Sequence, residues 1–339
     1  MPEKAEAQPP QAQLIHMATA HWVSRFVYAA AEMNLADQLS EGPRTAEELA
    51  QSDASHAPSL YRLMRTLASL GLFSEDSSRR FSLTPLGAAL KTGTPGRASV
   101  LTLAGELFTR SLEQLPYSAQ TGKSAFEKVF GGSFFNYLAE HPADASLFSQ
   151  TMVGIHGPEP AAVAAAYDFS RLGTVIDVGG ATGNILAAIL SHHPEPRGIL
   201  FDLPHVVSDA PALIQARGVA DRITIEAGSF FDRVPVGGDA YLLSHIIHDW
   251  SEDKCLTILG NCRRAMKSDS RLLIIETVIA PGDTPHLGKM LDMVMLAFFT
   301  GAQERTEPEY RALLDKAGFR LARVVPTQSA VSVVEALPA

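Results

Sequence analysis

The stretch Thr174-Val175-Ile176-Asp177-Val178-Gly179-Gly180-Ala181-Thr182-Gly183-Asn184 carries the densest chemical signal in the chain. A β-branched, apolar run meets an acid, then a glycine-rich turn, then an apolar helical run over 185–190. A parallel strand buried on both faces reads as such a near-continuous hydrophobic run. Glycines let the following backbone approach a ligand with no Cβ in the way. The spacing excludes two phosphate grips. Glycines at 179, 180 and 183 do not make Gly-x-Gly-x-x-Gly, and Gly183 is followed by Asn184 and Ile185 where a phosphate loop ends Gly-Lys-Ser/Thr. No basic residue stands near to meet a phosphate. An acid before the turn suits a ligand that is itself cationic or rich in hydroxyls. S-adenosylmethionine, with an amino group, a sulfonium and a ribose diol, is such a ligand. The competing reading is a tight strand-to-helix turn that binds nothing.

A second chemical stretch is Ser244-His245-Ile246-Ile247-His248-Asp249-Trp250. An imidazole has the right acidity to take a proton near neutral pH. A neighbouring carboxylate would fix its tautomer and stabilise the imidazolium, which favours His248 beside Asp249. With 11 histidines in the chain, an ordinary core or surface role competes for each of them. His245 is the rival base, and Asp249 is also a plausible helix cap ahead of Ser251-Glu252-Asp253.

The elements that must position these residues alternate from Val163 onward. Strands are expected at 174–178, 198–201, 223–226, 240–243 and 272–275, with helices starting near Asn184, His205, Ser251 and Leu287. That alternation gives an α/β fold, a doubly wound parallel sheet. Two β-rich runs, 320–326 and 330–336, suit an antiparallel hairpin at its edge. Ligands bind beyond the carboxyl ends of such strands. Those ends offer Asp177, then Phe201-Asp202-Leu203-Pro204, then Gly228-Ser229-Phe230-Phe231, then His248, then Glu276. Asp202 stands about 20 residues after the glycines, where an acid holding a ribose diol is expected.

The front of the chain is different. Residues 14–39 repeat apolar side chains at helical spacing, with an expected break at 34–37. Thr45 and Glu48 form a capping-box pattern for a short helix. A helix over 58–70 ends at Gly71, and two short strands flank the polar turn at 76–79. Helix, helix, hairpin is a winged-helix order, a module that can bind DNA. Recognition helices carry several Arg or Lys; this one has Arg62 and Arg65, and the wing has Arg79 and Arg80. A net charge of −9 argues against nucleic acid and against an anionic membrane surface. A packing or dimerisation role is the stronger expectation, because the first helix is too apolar to stand alone in water.

Composition agrees with an ordinary globular protein: 46% hydrophobic and 19% charged residues over 339 positions, long enough for two domains. Cys255 and Cys262 cannot make a disulfide framework, so a reducing, cytoplasmic setting is expected. No apolar run of about 18 residues announces a membrane span. Residues 1–13 read as a polar tail with no signal-peptide core. Between 105 and 156 the pattern is helical and irregular. Phe126, Phe130, Phe134, Phe135 and Tyr137 surround Gly131-Gly132 as either core or a wall for a flat substrate.

In order and spacing, five motifs resemble one family along nearly the whole chain. They are Asp177-Val-Gly-Gly-Ala-Thr-Gly183, Phe201-Asp-Leu-Pro-His205, Gly228-Ser-Phe-Phe231, His248-Asp-Trp-Ser251 and Glu304-Arg-Thr-Glu307. The chain resembles S-adenosylmethionine-dependent O-methyltransferases of the caffeate/acetylserotonin type, including bacterial enzymes of secondary metabolism. The resemblance implies a Rossmann-like seven-stranded methyltransferase sheet behind an N-terminal winged-helix dimerisation domain, working as a homodimer. Its divisions would be a disordered tail at 1–13, a dimerisation domain at 14–104, a helical linker and pocket region at 105–165 and the cofactor-binding domain at 166–339.

By the same resemblance His248 would deprotonate the acceptor hydroxyl, with Glu276 and Glu304 flanking it. Asp177, Gly179, Gly180, Gly183, Asp202, Leu203, Gly228, Ser229, Phe230, Phe231 and Ser244 would hold the cofactor. Two positions depart from the family. Ser229-Phe230 replaces a common Asp-Met, and Ser244 replaces a lysine common in the plant enzymes. Met152, His156, Asp249, Met295 and Phe299 would touch the substrate, with Met290, Met293 and Phe298 also expected along the pocket wall. A phenol of pKa about 10 would pass its proton to His248, accept the methyl and leave S-adenosylhomocysteine. No metal is expected, since the sequence shows no compact Asp/Glu/His ligand cluster at the strand ends. A carboxylate or N-methyltransferase on the same scaffold, and a winged-helix regulator sensing S-adenosylmethionine, remain as alternatives.

Overall fold

The computed structural model describes residues 9–339, which divide into two compact units. Residues up to Arg110, with Leu138–Ile155, form one unit. Ser111–Tyr137 with His156–Ala339 form the other. The stretch 105–165, expected as one linker region, is thus shared between them.

In the first unit the opening helix α1 spans Pro10–Glu32. It starts earlier than expected because proline at its first position is preset for helical φ and lacks only an N–H the helix does not need there. Residues 10–13 of the expected tail are therefore helical, and residues 1–8 of that tail lie outside the described residues. The expected break at 34–37 narrows to Asn34, whose φ of 53° is left-handed. Leu35–Gln38 (α2) is already helical, with Leu35 and Ala36 buried. Helix α3 (Ala46–Asp53) begins on the capping box: Glu48 N–H donates to Thr45 Oγ1 at 3.2 Å, and Thr45 N–H to Glu48 Oε2 at 2.8 Å. Helix α4 (Ala57–Ser69) buries Leu60, Met64 and Leu67 and stops at Gly71, φ 82°. Strands β1 (Phe73–Glu75) and β2 (Phe81–Leu83) pair antiparallel, completing the winged-helix order. One side of α1 is left bare: Leu14, Ile15, Met17 and Trp22 are each more than half exposed.

The second unit is built on β3 (Thr174–Val178), β4 (Arg197–Asp202), β5 (Ile223–Ala227), β6 (Ala240–Ser244), β7 (Arg271–Glu276), a short parallel pair β8 (Val278–Ile279) and β9 (Arg305–Thr306), then β10 (Phe319–Pro326) and β11 (Ser332–Pro338). The main sheet has seven strands in the order β10-β11-β7-β6-β3-β4-β5. Its β7-to-β5 portion is parallel and the β10–β11 hairpin antiparallel. Both faces are covered, which explains the unbroken apolar runs. Ile176, Leu272 and Ile274 enter one core, and Val175, Leu273 and Ile275 enter the other. Each such side chain contributes about 1.5–3 kcal/mol on burial. The helix expected near His205 begins only at Ala210, after a 3-10 turn at Val207–Asp209.

Candidate active site

Strand β3 delivers Asp177 and then turns sharply. Gly179 (φ 74°), Ala181 (φ 50°) and Gly183 (φ 83°) take left-handed backbone, and the helix Asn184–His192 follows. Gly180 has no room for a side chain, since a Cβ there would lie 2.4 Å from the Asp177 carboxyl carbon. At Gly179 a Cβ would meet Ile246 at 2.6 Å and Phe230 at 3.2 Å. The loop therefore lies directly against the turns that follow β5 and β6. Asp177 is 1% exposed and its Oδ1 has no hydrogen-bond partner. Burial, then the nearby charge of Asp202, pushes its carboxyl up to about 7. An orphaned buried carboxylate oxygen beside a Cβ-free loop fits a cationic amino group.

Asp202 ends β4 and faces the same loop. Its Oδ2 accepts the N–H of Ala181 at 2.9 Å and its Oδ1 that of Leu203 at 2.6 Å. Each oxygen keeps a lone pair free for a ribose hydroxyl. Leu203 itself is 40% exposed. The turn after β5 is fixed by Asn261, which donates to the carbonyls of Phe230 (2.7 Å) and Phe231 (2.9 Å). Gly228 leaves space for the Phe201 ring, which a Cβ would approach to 2.7 Å. Ser229 Oγ accepts the Phe231 N–H at 3.2 Å. Phe231 packs edge-on to Trp250, ring centres 4.9 Å apart. Ser244, half-buried, closes β6.

His248 lies in a 3-10 turn, Ile247–Asp249, just past β6. Its Nδ1–H donates to Glu304 Oε1 at 2.9 Å, and its Nε2 is 3.5 Å from Asp249 Oδ1. Glu276 Oε1 accepts the backbone N–H of both Ile247 (2.6 Å) and His248 (3.1 Å), while Tyr310 O–H donates to Oε2. Burial alone would lower the pKa of His248. The charge of Glu276, the hydrogen bond to Glu304 and the charge of Asp249 outweigh it and push it up to about 10. Burial raises Asp249 to about 6 against the pull of His248. The expectation of a base poised near neutrality is therefore corrected: three carboxylates stabilise the imidazolium.

His245, the rival base, is engaged elsewhere. Its Nε2–H donates to Glu159 Oε2 at 2.7 Å, and His156 Nδ1–H donates to the same oxygen at 3.1 Å. Burial works to raise Glu159, but the two histidines hold it down to about 2. The expectation that no Asp/Glu/His cluster forms at the strand ends is thus overturned twice. His248, Glu276 and Glu304 form one such group, and His156, Glu159 and His245 form another. Spacing could not show this, because each group joins segments far apart in the chain, 248 with 276 and 304 and 156–159 with 245.

The expected pocket wall divides. Phe299 is half-buried and stacks on Phe135 at 5.3 Å, and Met295 is also half-buried. Phe298 is 2% exposed, locked among Phe126 and Phe134, so it is core and not wall. Met290 and Met293 point to solvent, at 70% and 38% exposure. Met152 belongs to the first unit, half-buried on the helix Pro142–His156. The sequence reading missed Tyr310, Asn261, Glu159 and Asp292, which accepts the Glu304 N–H at 2.9 Å. Tyr310, three residues after Glu307, carried a faint signal; buried Asn261 in an amphipathic helix carried none.

Residues 113–320 match the O-methyltransferase domain family, and residues 15–93 match the O-methyltransferase dimerisation domain family. The chain belongs to the S-adenosylmethionine-dependent O-methyltransferases. It is 44% identical to a phenazine O-methyltransferase of Lysobacter antibioticus over 99% of this chain and 98% of that one. It is 31% identical to a phenazine-1-carboxylate N-methyltransferase of Pseudomonas aeruginosa, over 92% of each chain. An O-methyltransferase of neocarzinostatin biosynthesis, solved with S-adenosylmethionine and 2-hydroxy-5-methyl naphthoic acid, superimposes with a TM-score of 0.78. It shares 33% identity over 94% of this chain and 96% of that one.

S-adenosylmethionine is the cofactor, and this methyltransferase family works without a metal. The chain methylates aromatic secondary metabolites. The match over 15–93 supports a homodimer. Among the described residues no helix is long and apolar enough to cross a membrane.

Proposed function

We propose that the chain methylates a phenolic or enolic hydroxyl of an aromatic secondary metabolite, with His248 holding the acceptor's proton. The observation that carries this reading is the setting of His248: Nδ1–H on Glu304 at 2.9 Å, which leaves Nε2 to face an acceptor. Bound S-adenosylmethionine supplies an electrophilic methyl group on a sulfonium sulfur. Asp177 receives its amino group, Asp202 its ribose, and the turn at 228–231 with Ser244 its remaining polar and adenine edges. Leu203 covers the ribose side.

An imidazolium raised to about 10 matches a phenol of about 10. Proton transfer between them is therefore close to thermoneutral. An acceptor that enters as phenol beside imidazole and one that enters as phenolate beside imidazolium reach the same protonation state. In either case the oxygen attacks as phenolate beside the imidazolium. Glu276 holds the turn, Glu304 the tautomer, and Asp249 the Nε2 side. Met295 and Phe299, with Phe135, offer apolar faces to a flat ring.

Nitrogen as acceptor is a second reading, favoured by the N-methylating relative. In that case His248 orients the substrate and removes no proton before transfer. DNA binding has little support: Arg65 and Arg79 lie over the Tyr61 ring, and Arg80 pairs with Glu48 at 3.3 Å. Incubation with S-adenosylmethionine and matched pairs of hydroxy- and amino-substituted aromatics, read by product mass and position, tests the choice. Replacement of His248 by Gln should lower hydroxyl methylation by about 10²–10⁴. Unchanged turnover with a hydroxyl acceptor would overturn the role given to His248.

A further inference from the structure

A second cluster of ligating side chains stands beside His248. Two imidazoles, His156 and His245, converge on one oxygen of Glu159, at 3.1 and 2.7 Å. Their ring centres are 4.1 Å apart, and the ligand-capable atoms of all three residues lie within 4.8 Å of one another. Glu159 is the first residue of the helix Glu159–Ala166, and its side chain is 5% exposed. The two histidine side chains keep 33% and 22% of their surface, so a small ion can reach the cluster from solvent. His245 also holds a left-handed backbone, φ 53°, at the end of β6. Non-glycine residues stay there only where the surroundings over-determine them. The other cluster offers no such opening. Glu276 is fully buried, with both oxygens taken by Ile247, His248 and Tyr310.

We propose that His156, Glu159 and His245 form a binding site for a divalent transition-metal ion of the zinc class, beside His248 but sharing no ligand with the His248, Glu276 and Glu304 group. Two imidazole nitrogens and one carboxylate oxygen suit Zn²⁺, Ni²⁺ or Cu²⁺, whereas Mg²⁺ and Ca²⁺ ask for oxygen shells. Ligand bonds of about 2.0–2.1 Å in a tetrahedral arrangement set neighbouring ligand atoms about 3.3 Å apart. The observed contacts of 3.1 and 2.7 Å are shorter than that, so the ion has to spread the three groups by about half an ångström. Entry of the ion replaces the two bridging N–H protons, each of which moves to its ring's other nitrogen or to solvent. Water fills the remaining coordination position. The inference does not depend on which acceptor is methylated, and the ion is no cofactor of the reaction.

The test uses the full-length protein, stripped with EDTA. It is titrated with Co²⁺ while the visible d–d absorption is followed, then with Zn²⁺ in competition, with Mg²⁺ as control. One saturable site per chain is expected, with a rise in Tm on Zn²⁺ addition and no response to Mg²⁺. His156→Gln, a partly exposed position, should weaken binding by more than about tenfold, and Glu159→Gln likewise. His192→Gln, in the separate His192–His193 pair, should leave it intact. Circular dichroism of the metal-free variants checks their fold. Absence of saturable Co²⁺ or Zn²⁺ uptake would overturn the proposal. So would uptake undiminished in a folded His156→Gln variant, which would place the ion on other histidines.

Discussion

Glu276 accepts the main-chain N–H of His248 at 3.1 Å, reaching from the end of β7 to the turn after β6. The same oxygen takes the N–H of Ile247, and Tyr310 donates to the other. A buried carboxylate at the end of one strand thus fixes the backbone of His248, just past the end of its neighbour. Buried networks of this kind are costly when a member is left unsatisfied.

Tyr310→Phe removes the hydroxyl that satisfies Glu276 Oε2 in a fully buried position. The orphaned oxygen costs about 1–3 kcal/mol, which for a unit of this size lowers Tm by about 2–4 °C per kcal/mol. Calorimetry should record that loss together with a fall in kcat at nearly constant KM. An unchanged Tm would show that the contact carries no weight.

Glu304→Gln removes one of the charges that hold the His248 proton. With a phenol of ordinary acidity, kcat/KM should rise with pH until the more acidic of the pair titrates. In the wild type that break is expected near 10, where both partners titrate. In the variant the His248 value drops toward its ordinary range, so the break should move to lower pH and the plateau should fall. A pH–rate profile from 6 to 10 that keeps the wild-type break would remove Glu304 from this role.

The role proposed for Asp177 makes cofactor affinity depend on pH. Its folded carboxyl sits at about 7, above its ordinary 3.8. The proton is held more tightly folded than unfolded, so this group favours the free folded chain below pH 3.8 and loses that contribution as pH rises through 7. A cationic ligand binds the ionised form. Calorimetric affinity for S-adenosylmethionine should therefore strengthen by roughly tenfold per pH unit below 7 and level off above it, with proton release on binding. Asp177→Asn should bind more weakly and show a flat profile.

Gly180→Ala places a Cβ 2.4 Å from the Asp177 carboxyl carbon and 2.6 Å from Leu200. Both neighbours are buried, so neither can move aside cheaply. The variant should lose measurable S-adenosylmethionine binding in equilibrium dialysis. Gly131→Ala is the contrast in strain alone, since no atom lies within 4 Å of its Cβ position but its φ is 83°. It should cost stability and leave cofactor affinity unchanged.

Asp177, Asp202 and the turn at 228–231 were legible in the chain because strand order and glycine spacing are local signals. Each sits at the carboxyl end of a strand whose period and boundaries the side chains alone define. The five parallel strands, the edge hairpin, the Thr45–Glu48 cap and the winged-helix order follow from the same short-range rules. The start of α1 at Pro10 and the single-residue break at Asn34 were less legible, since one residue's φ decides each.

Sequence by itself determined which groups stand at the sheet's ligand edge, because alternation and turn chemistry act between neighbours along the chain. Tertiary structure alone decided how those groups are charged and paired. The β8–β9 pairing sets Val278 opposite Arg305 and so draws Glu276 and Glu304 together around His248. His245 is drawn instead to Glu159, far behind it in the chain. The acidity of an imidazole depends on the charges within a few ångströms and on the water removed around it. Neither quantity exists until distant segments have packed.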